Sequence, residues 1–152
     1  MKILSFISSY RKNGNTANIV QLLEDTIESI SKQMNIHADF ETVFLGHQNI
    51  LTCKGCRICF DKGERNYPLN DDLLLIKERI DSADFVILAS PVYVEDVNGI
   101  MKNWIDRMAF VCHRPEFFGK SAYILSTSGV GSTKHSLMTM NTALRTWGFH
   151  IV

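Results

Sequence analysis

Long apolar runs, proline, net charge and nucleophile motifs are all scarce in this chain, and each shortage removes a class of function. No stretch reaches the roughly 18 consecutive apolar residues of a membrane span. Met1-Lys2-Ile3-Leu4-Ser5-Phe6-Ile7 also turns polar too quickly for a signal peptide, so the expectation is a cytoplasmic protein with no membrane partner. The 16 basic and 16 acidic residues cancel. Without a positive field to draw in polyanions, nucleic acid is not expected as a partner and a small molecule is. Ser, His and Asp occur in no nucleophile motif such as G-x-S-x-G, and His37, His47, His113, His135 and His150 are scattered without ligand spacing. No catalytic acid, base or nucleophile is therefore predicted. What the chain does have is 152 residues with 45% hydrophobic and 21% charged side chains. A chain of that length buries roughly 68–70% of its unfolded surface and needs no disulfide or metal to fold, so residues 1–152 are expected to form one domain.

Three prolines and no repeat or low-complexity tract interrupt the pattern. Residues 2–8 make an apolar run of the buried-strand type. From Asn15, Ile19, Val20, Leu23, Ile27, Ile30 and Met34 recur at the three-and-four spacing that puts them on one helical face. A second strand is predicted at about 37–45, a helix from Asp71 to about Ser82, and a fully apolar strand at Phe85-Val86-Ile87-Leu88-Ala89. A helix of about 98–111, a strand at 121–126, a helix of about 133–146 and an apolar start at Phe149–Val152 follow. Strands without alternation are covered on both faces, so the order β-α-β-α-β-α-β-α-β predicts an α/β fold with a doubly wound, five-stranded parallel sheet. Such a sheet needs a helix after its last strand, and none is left in the sequence. The expectation is a piece of a longer protein, or a partner subunit covering the gap.

Ligands of such sheets bind beyond the carboxyl ends of the strands, where the strand order reverses. Three loops belong there. Ser8-Ser9-Tyr10-Arg11-Lys12-Asn13-Gly14-Asn15-Thr16-Ala17 offers hydroxyls, amides and an arginine at a helix start, the donors that a phosphate needs, although an ordinary turn capped by Asn15 or Thr16 would look the same. It lacks both the Walker lysine and the G-x-G-x-x-G spacing, so a monophosphate is the better match. Ser90-Pro91-Val92-Tyr93-Val94 ends the most apolar strand with an aromatic able to lie against a planar ring, or merely to pack. Ser126-Thr127-Ser128-Gly129-Val130-Gly131-Ser132 is small and Gly-rich, which lets backbone approach a ligand.

These segments resemble a known family. Ser9-Tyr10-Arg11-Lys12-Asn13-Gly14-Asn15-Thr16 is similar to the G-S-P-R-x-x-G-N-T phosphate loop of the NADPH-dependent FMN reductase and iron-sulfur flavoprotein group, with Ser8 and Tyr10 where Gly and Pro are more usual. Ser90-Pro91-Val92-Tyr93 through Gly99 to Arg107 resembles that group's S-P-V-Y…G-x-x-K-x-x-x-D-R segment. The resemblance implies a flavodoxin-like sheet of order 2-1-3-4-5 binding FMN. The phosphate would lie at Ser9, Arg11, Asn13, Asn15, Thr16 and Ala17, and the ring against Pro91, Val92, Tyr93 and Val94 and against Thr127, Ser128 and Gly129. It further implies hydride transfer from NAD(P)H to FMN, with electrons passed to a quinone, a nitro or azo compound, free flavin or a redox protein, by a homodimer or homotetramer. A flavodoxin-type or iron-sulfur electron carrier is the rival. Zero net charge speaks against it, because carriers that dock by steering are strongly acidic.

Three of the four cysteines fall in Cys53-Lys54-Gly55-Cys56-Arg57-Ile58-Cys59, which points to a reducing compartment and to metal or redox work. The loop runs on to Asn70, a length that is usually functional. Iron-sulfur members of the group carry C-x2-C-x2-C, a fourth Cys a few residues on and an Asp-Asp pair. Cys53, Cys56, Cys59 and Asp71-Asp72 match, but residues 61–68 hold no cysteine. Cys112 is expected at the far end of a helix, roughly 20 Å from the ligand edge. A [4Fe-4S] cluster with an unusual fourth ligand, zinc closed by a non-Cys group such as His47 and a loop of free thiols remain as readings, with the free thiols favoured and no metal ligand assigned.

Overall fold

The computed structural model describes residues 1–152, and its sheet grows outward from β1 (Lys2–Ile7), where every residue after Lys2 is buried. A strand apolar at odd and even positions alike needs cover on both faces, which explains its central place. β1 pairs in parallel with β2 (Asp39–Phe44) on one side and β3 (Phe85–Tyr93) on the other. β4 (Asp96–Val97) folds back antiparallel on the end of β3, while β5 (Ser121–Thr127) pairs in parallel with the length of β3 and β6 (His150–Ile151) with β5. The five parallel strands run β2-β1-β3-β5-β6, the 2-1-3-4-5 order expected. β3 is longer than its apolar run predicts: it passes through Pro91, which stands opposite Thr127 in register, because β4 gives Val92 and Tyr93 antiparallel partners.

The helices are α1 (Asn15–Gln33), α2 (Ile58–Asp61), α3 (Leu73–Ser82), α4 (Gly99–Arg107), α5 (Ala109–His113) and α6 (Lys134–Trp147). The single helix expected at 98–111 is two, broken at Met108, whose N–H is shared between the carbonyls of Trp104 and Ile105. One face of the sheet carries a continuous core of 23 buried residues, drawn from strands β1 to β5, from α3, α4, α5 and α6 and from the connections between them. Its aromatic spine runs from Phe6 to Trp104, 4.7 Å between ring centroids, and on to Trp147 at 5.4 Å.

The other face has only α1 and a cluster of Ile7, Ala17, Val20 and Ala89. The apolar stripe of α1 is not what it buries. Val20 is inside, Leu23 and Ile27 are half-buried, and Ile19, Ile30 and Met34 are exposed, while Thr16, Ala17, Glu24 and Ser31 face the sheet. A polar bond rotates the helix: the Glu24 carboxylate accepts from Ser5 Oγ at 2.5 Å and from Thr42 Oγ1 at 3.1 Å, so its side chain takes the inward position. Beside α1 this face stays open. Tyr123 is 40% exposed although β5 has a partner on each side, and the 152 residues carry no helix after β6.

A buried ion pair joins the ends of the long loop between β2 and α3. The Arg107 guanidinium, on α4, holds the Asp71 carboxylate and donates to Leu51 O at 2.6 Å, and Asp71 in turn accepts from the N–H groups of Leu51 and Leu73. Both side chains are within 2% of complete burial. α3 therefore starts at Leu73 rather than Asp71, whose carboxylate is committed to this clasp. Burial pushes the Asp71 carboxyl up, but the Arg107 guanidinium and the two N–H groups outweigh it and hold it below the usual carboxylate range.

Two stability predictions follow from these buried carboxylates. Glu24→Ala strands the hydroxyls of Ser5 and Thr42 under α1 and is expected to cost about 1–3 kcal/mol in urea unfolding. Asp71 is depressed in the folded state, so its contribution is complete above the unfolded value near about 3.9 and is lost as pH falls through the folded value. Asp71→Asn leaves a buried guanidinium unpaired. It is expected to cost about 3–5 kcal/mol at neutral pH, and the gap to the parent protein should narrow below about pH 4. Urea midpoints of both proteins across that range check it; a constant gap would contradict it.

Candidate functional site

Because β1, β3 and β5 are parallel, their carboxyl ends open on one edge, and three connections meet there. The first leaves β1 at Ser8 and enters α1 through Gly14, which sits at the N-cap with extended backbone in place of Asn15 or Thr16. No side chain caps this helix and no acidic residue stands in its first turn. The leading N–H groups of Asn15, Thr16 and Ala17 are thus without a side-chain acceptor, at the end of the helix where partial positive charge collects. Ser9 is at the limit of burial and its Oγ accepts from Arg11 N–H at 3.0 Å, which folds the loop back. Arg11, Asn13 and Asn15 are exposed; Thr16 and Ala17 are buried. Hydroxyls, amides, a guanidinium and unpaired N–H groups are the donor set that the phosphate of FMN demands, so the residues present fit that group.

The other two segments close on the first. Thr16 Oγ1 lies 2.7 Å from Thr127 Oγ1, which brings the start of α1 to the end of β5. Pro91 and Val92 are half-buried within β3, Tyr93 is 53% exposed and Val94 is 98% exposed at the hairpin tip. Val94 and Glu95 have φ of 48° and 68°, the left-handed pair that a two-residue hairpin normally gives to Asn-Gly. A β-branched residue there is strained. The tip is packed against the third loop: a Cβ on Gly131, itself at φ 95°, would stand 2.7 Å from Glu95 Oε1. Ser128 and Gly129 are exposed beside it. A cavity of about 430 Å³ lies between Ser9, Tyr10, Arg11, Tyr93, Gly99 and Ile100.

Two residues that organise this edge escaped the sequence reading. Asn98 is 3% exposed. Its Nδ2 donates to Ser8 O, its Oδ1 accepts from Met101 N at 3.0 Å, and its N–H reaches Ser90 Oγ at 3.4 Å. Asn98 thereby caps α4 with its side chain and, through that side chain and its backbone N–H, ties the first loop to the second. An asparagine directly before a helix was the available signal. The other is Gly46, where a Cβ would lie 2.9 Å from Ser9 O and 3.0 Å from the Tyr10 ring. Nothing in local sequence marks that close approach, because it is made between segments 37 residues apart.

The cysteine loop is a separate feature. Cys53 and Cys56 are exposed, Cys59 on α2 is half-buried, and all three thiols are free, as is Cys112. Burial pushes the Cys59 thiol up, and the charge of Cys53 and Cys56 adds to this. The loop reaches further along the domain than expected, since Phe60 packs edge-on against His113 at 4.8 Å and Arg114 donates to Cys59 O. Cys112 still lies off it: its Sγ is 3.4 Å from Thr146 Oγ1 on α6. His47 is also engaged elsewhere, its Nε2–H donating to Tyr10 O at 2.9 Å. No three His, Cys, Asp or Glu side chains converge as a metal site. A [4Fe-4S] cluster takes four protein ligands, and this donor set does not fit one.

With that geometry in hand, the comparisons with known proteins fall into one group. The chain is 35% identical over 149 residues to an iron-sulfur flavoprotein of Archaeoglobus fulgidus, which covers 97% of this chain and 64% of the relative. It is 30% identical over 107 residues to the iron-sulfur flavoprotein of Methanosarcina thermophila, covering 70% and 52%. Among solved structures, RosB with a bound 8-demethyl-8-formylriboflavin-5'-phosphate intermediate superposes with a TM-score of 0.73 at 16% identity, over 99% of this chain and 61% of that one. The flavoenzyme NAD(P)H:(acceptor) oxidoreductase FerB from Paracoccus denitrificans gives 0.64 at 20% identity, over 99% and 74%. The chain thus spans under two thirds of the length of the first of these relatives, and the structures establish the flavodoxin-like fold. The sequence profile of the NADPH-dependent FMN reductase family matches residues 1–152 throughout, and the chain belongs to that family.

Proposed function

We propose that this domain binds FMN at the edge formed by the three connections and works as an NAD(P)H-dependent oxidoreductase with a small electron acceptor. One observation carries the proposal: α1 opens on an uncapped N-terminus at the carboxyl end of β1, with Thr127 drawn to it by Thr16 and Ser8 tied to Ser90 by Asn98. FMN, when bound, supplies the hydride-accepting and electron-donating chemistry, so the protein needs no acid or base of its own. The N–H groups of Asn15, Thr16 and Ala17 hold the phosphate, with Ser9, Arg11 and Asn13 around it. Pro91, Val92, Tyr93 and Val94 on one side and Thr127, Ser128 and Gly129 on the other bound the ring. Glu95 against Gly131 keeps the hairpin and the third loop in register with each other.

The same reading includes a cytoplasmic homodimer or homotetramer. Tyr10, Tyr93, Val94 and Val130 are all more than half exposed around the proposed ring site, and a second copy would shield them together with the acceptor. For location, the supporting observation is that no helix is long and apolar enough to cross a membrane.

The purified protein is expected to carry or take up one FMN per chain, and NADPH alone should bleach its flavin absorbance. Flavin bound but not bleached would favour the electron carrier; no flavin binding would end both readings. Arg11→Ala removes a charge-assisted contact worth about 1.5–3 kcal/mol, so the FMN Kd should rise about 10–100-fold in a fluorescence-quenching titration. Gly46→Ala pushes on the Ser9 carbonyl from behind and should raise the Kd at least about tenfold, near 1.4 kcal/mol. An unchanged Kd in both variants would place the phosphate elsewhere.

A further inference from the structure

The cysteine loop has the ligand spacing of a cluster-binding run, in a chain 35% identical to an iron-sulfur flavoprotein, yet it supplies three thiols and not four. The other side chains near the loop that could add a fourth donor are engaged elsewhere, the Asp61 carboxylate with Arg57 and the Glu64 carboxylate with Arg114. Cys112 is turned to Thr146, His47 to Tyr10 O, and His113 to the Phe60 ring. The side chain that does reach the cysteines is Tyr67, whose hydroxyl donates to Cys53 Sγ at 3.6 Å.

Tyr67 is held there firmly. Its ring lies 4.5 Å from the Arg107 guanidinium carbon, and that guanidinium is the buried one fixed by Asp71 and Leu51 O. Cation and ring face each other at a distance typical of an attractive contact. The clasp that joins the two ends of the loop therefore also aims the phenol at Cys53. Tyr67, Arg107 and Cys59 line one cavity of about 280 Å³ at the base of the loop, so the ring stands in the same space as the half-buried thiol.

We infer that Tyr67 fills the place of a fourth ligand in this loop and that Cys53, Cys56 and Cys59 remain free thiols, so that Tyr67→Cys restores the four-thiolate complement that an iron-sulfur cluster requires. Oxygen and sulfur differ in the way that matters. A neutral phenol donates a hydrogen bond to sulfur, whereas a thiolate would bind iron with the softness that iron-sulfur clusters require. The inference rests on the loop and not on the flavin reading.

The test counts iron and FMN separately. Full-length parent protein, Tyr67→Cys and Tyr67→Phe are purified without oxygen, incubated with ferric iron, sulfide and a thiol that reduces part of the iron, desalted, and assayed for iron, acid-labile sulfide and absorbance near about 400 nm. Tyr67→Cys should gain about four iron and four sulfide per chain. The parent and Tyr67→Phe should gain less than about one. A four-iron cluster in the parent overturns the inference, whether or not Tyr67→Phe loses it. So does a Tyr67→Cys protein with an unchanged urea midpoint and no cluster. Should Tyr67→Cys fail to fold, alkylation of the parent decides. Cys53, Cys56 and Cys59 should be modified by iodoacetamide equally before and after the iron and sulfide treatment, and protection of all three would overturn the inference. FMN content, measured in each sample, tells a failed cluster from a failed flavin site.

Discussion

The parallel pairing of β1 with β3 at the centre of the sheet is the constraint from which the rest of the molecule follows. Ile3 to Ile7 stand opposite Phe85 to Ala89, and the pairing continues one step beyond the ladder as Ser8 N–H donates to Ala89 O at 3.0 Å. Two parallel strands cannot be joined by a short turn, so the chain must cross over, and the crossovers from neighbouring strands leave on the same edge. With β2 added on one side of β1 and β3 on the other, the direction of winding reverses between β1 and β3. That is where the first connection diverges from the second and leaves room for a ligand. Asn98 fixes the width of this opening, since it binds Ser8 on one side and Ser90 on the other.

The two faces of the sheet serve different ends. The face under α3, α4, α5 and α6 carries the aromatic spine and most of the buried apolar surface. The α1 face is thin, and its inward position at Glu24 is polar. Stability is thus concentrated on one side, while α1 is held by a carboxylate, by Thr16 against Thr127 and by a small apolar cluster. A helix anchored at its N-terminus near the ligand edge and only partly packed along its length keeps its free N–H groups in place without needing a capping side chain. The Arg107–Asp71 pair works on the opposite principle. It buries two charges at a cost in desolvation, and what it secures is the geometry of a loop with little apolar anchorage of its own.

Much of this architecture was legible in the residue pattern. The unbroken apolar runs at 2–8 and 85–89 marked the two central strands, because only strands covered on both faces dispense with alternation. The loop of Ser9 to Ala17 was legible from its donor types, and the C-x2-C-x2-C spacing from its periodicity. The errors have physical causes of equal clarity. The stripe on α1 misplaced the buried face because a hydrogen bond to Glu24 outweighs the burial of Ile30 and Met34. Pro91 looked like the end of a strand because a proline removes a ladder donor, and the β4 hairpin restored pairing beyond it. The single helix expected at 98–111 is broken at Met108, and the cysteine loop reaches α5 rather than keeping to the ligand edge, although Cys112 itself is turned to Thr146.

By itself the sequence determined the fold class, the position of a donor-rich loop ahead of the first helix and the shortage of a fourth cysteine, while the order of the strands came from its resemblance to a family. The first three are matters of composition, pattern or spacing along the chain. Only the tertiary structure decided that Asn98 ties two loops together, that Gly46 must lack a Cβ to admit Ser9, that Asp71 and Arg107 clasp the cysteine loop, and that Tyr67 is the side chain turned toward Cys53. These contacts join residues 14 to 90 positions apart in the chain. No local pattern encodes them, because they arise from where the crossovers set the elements down.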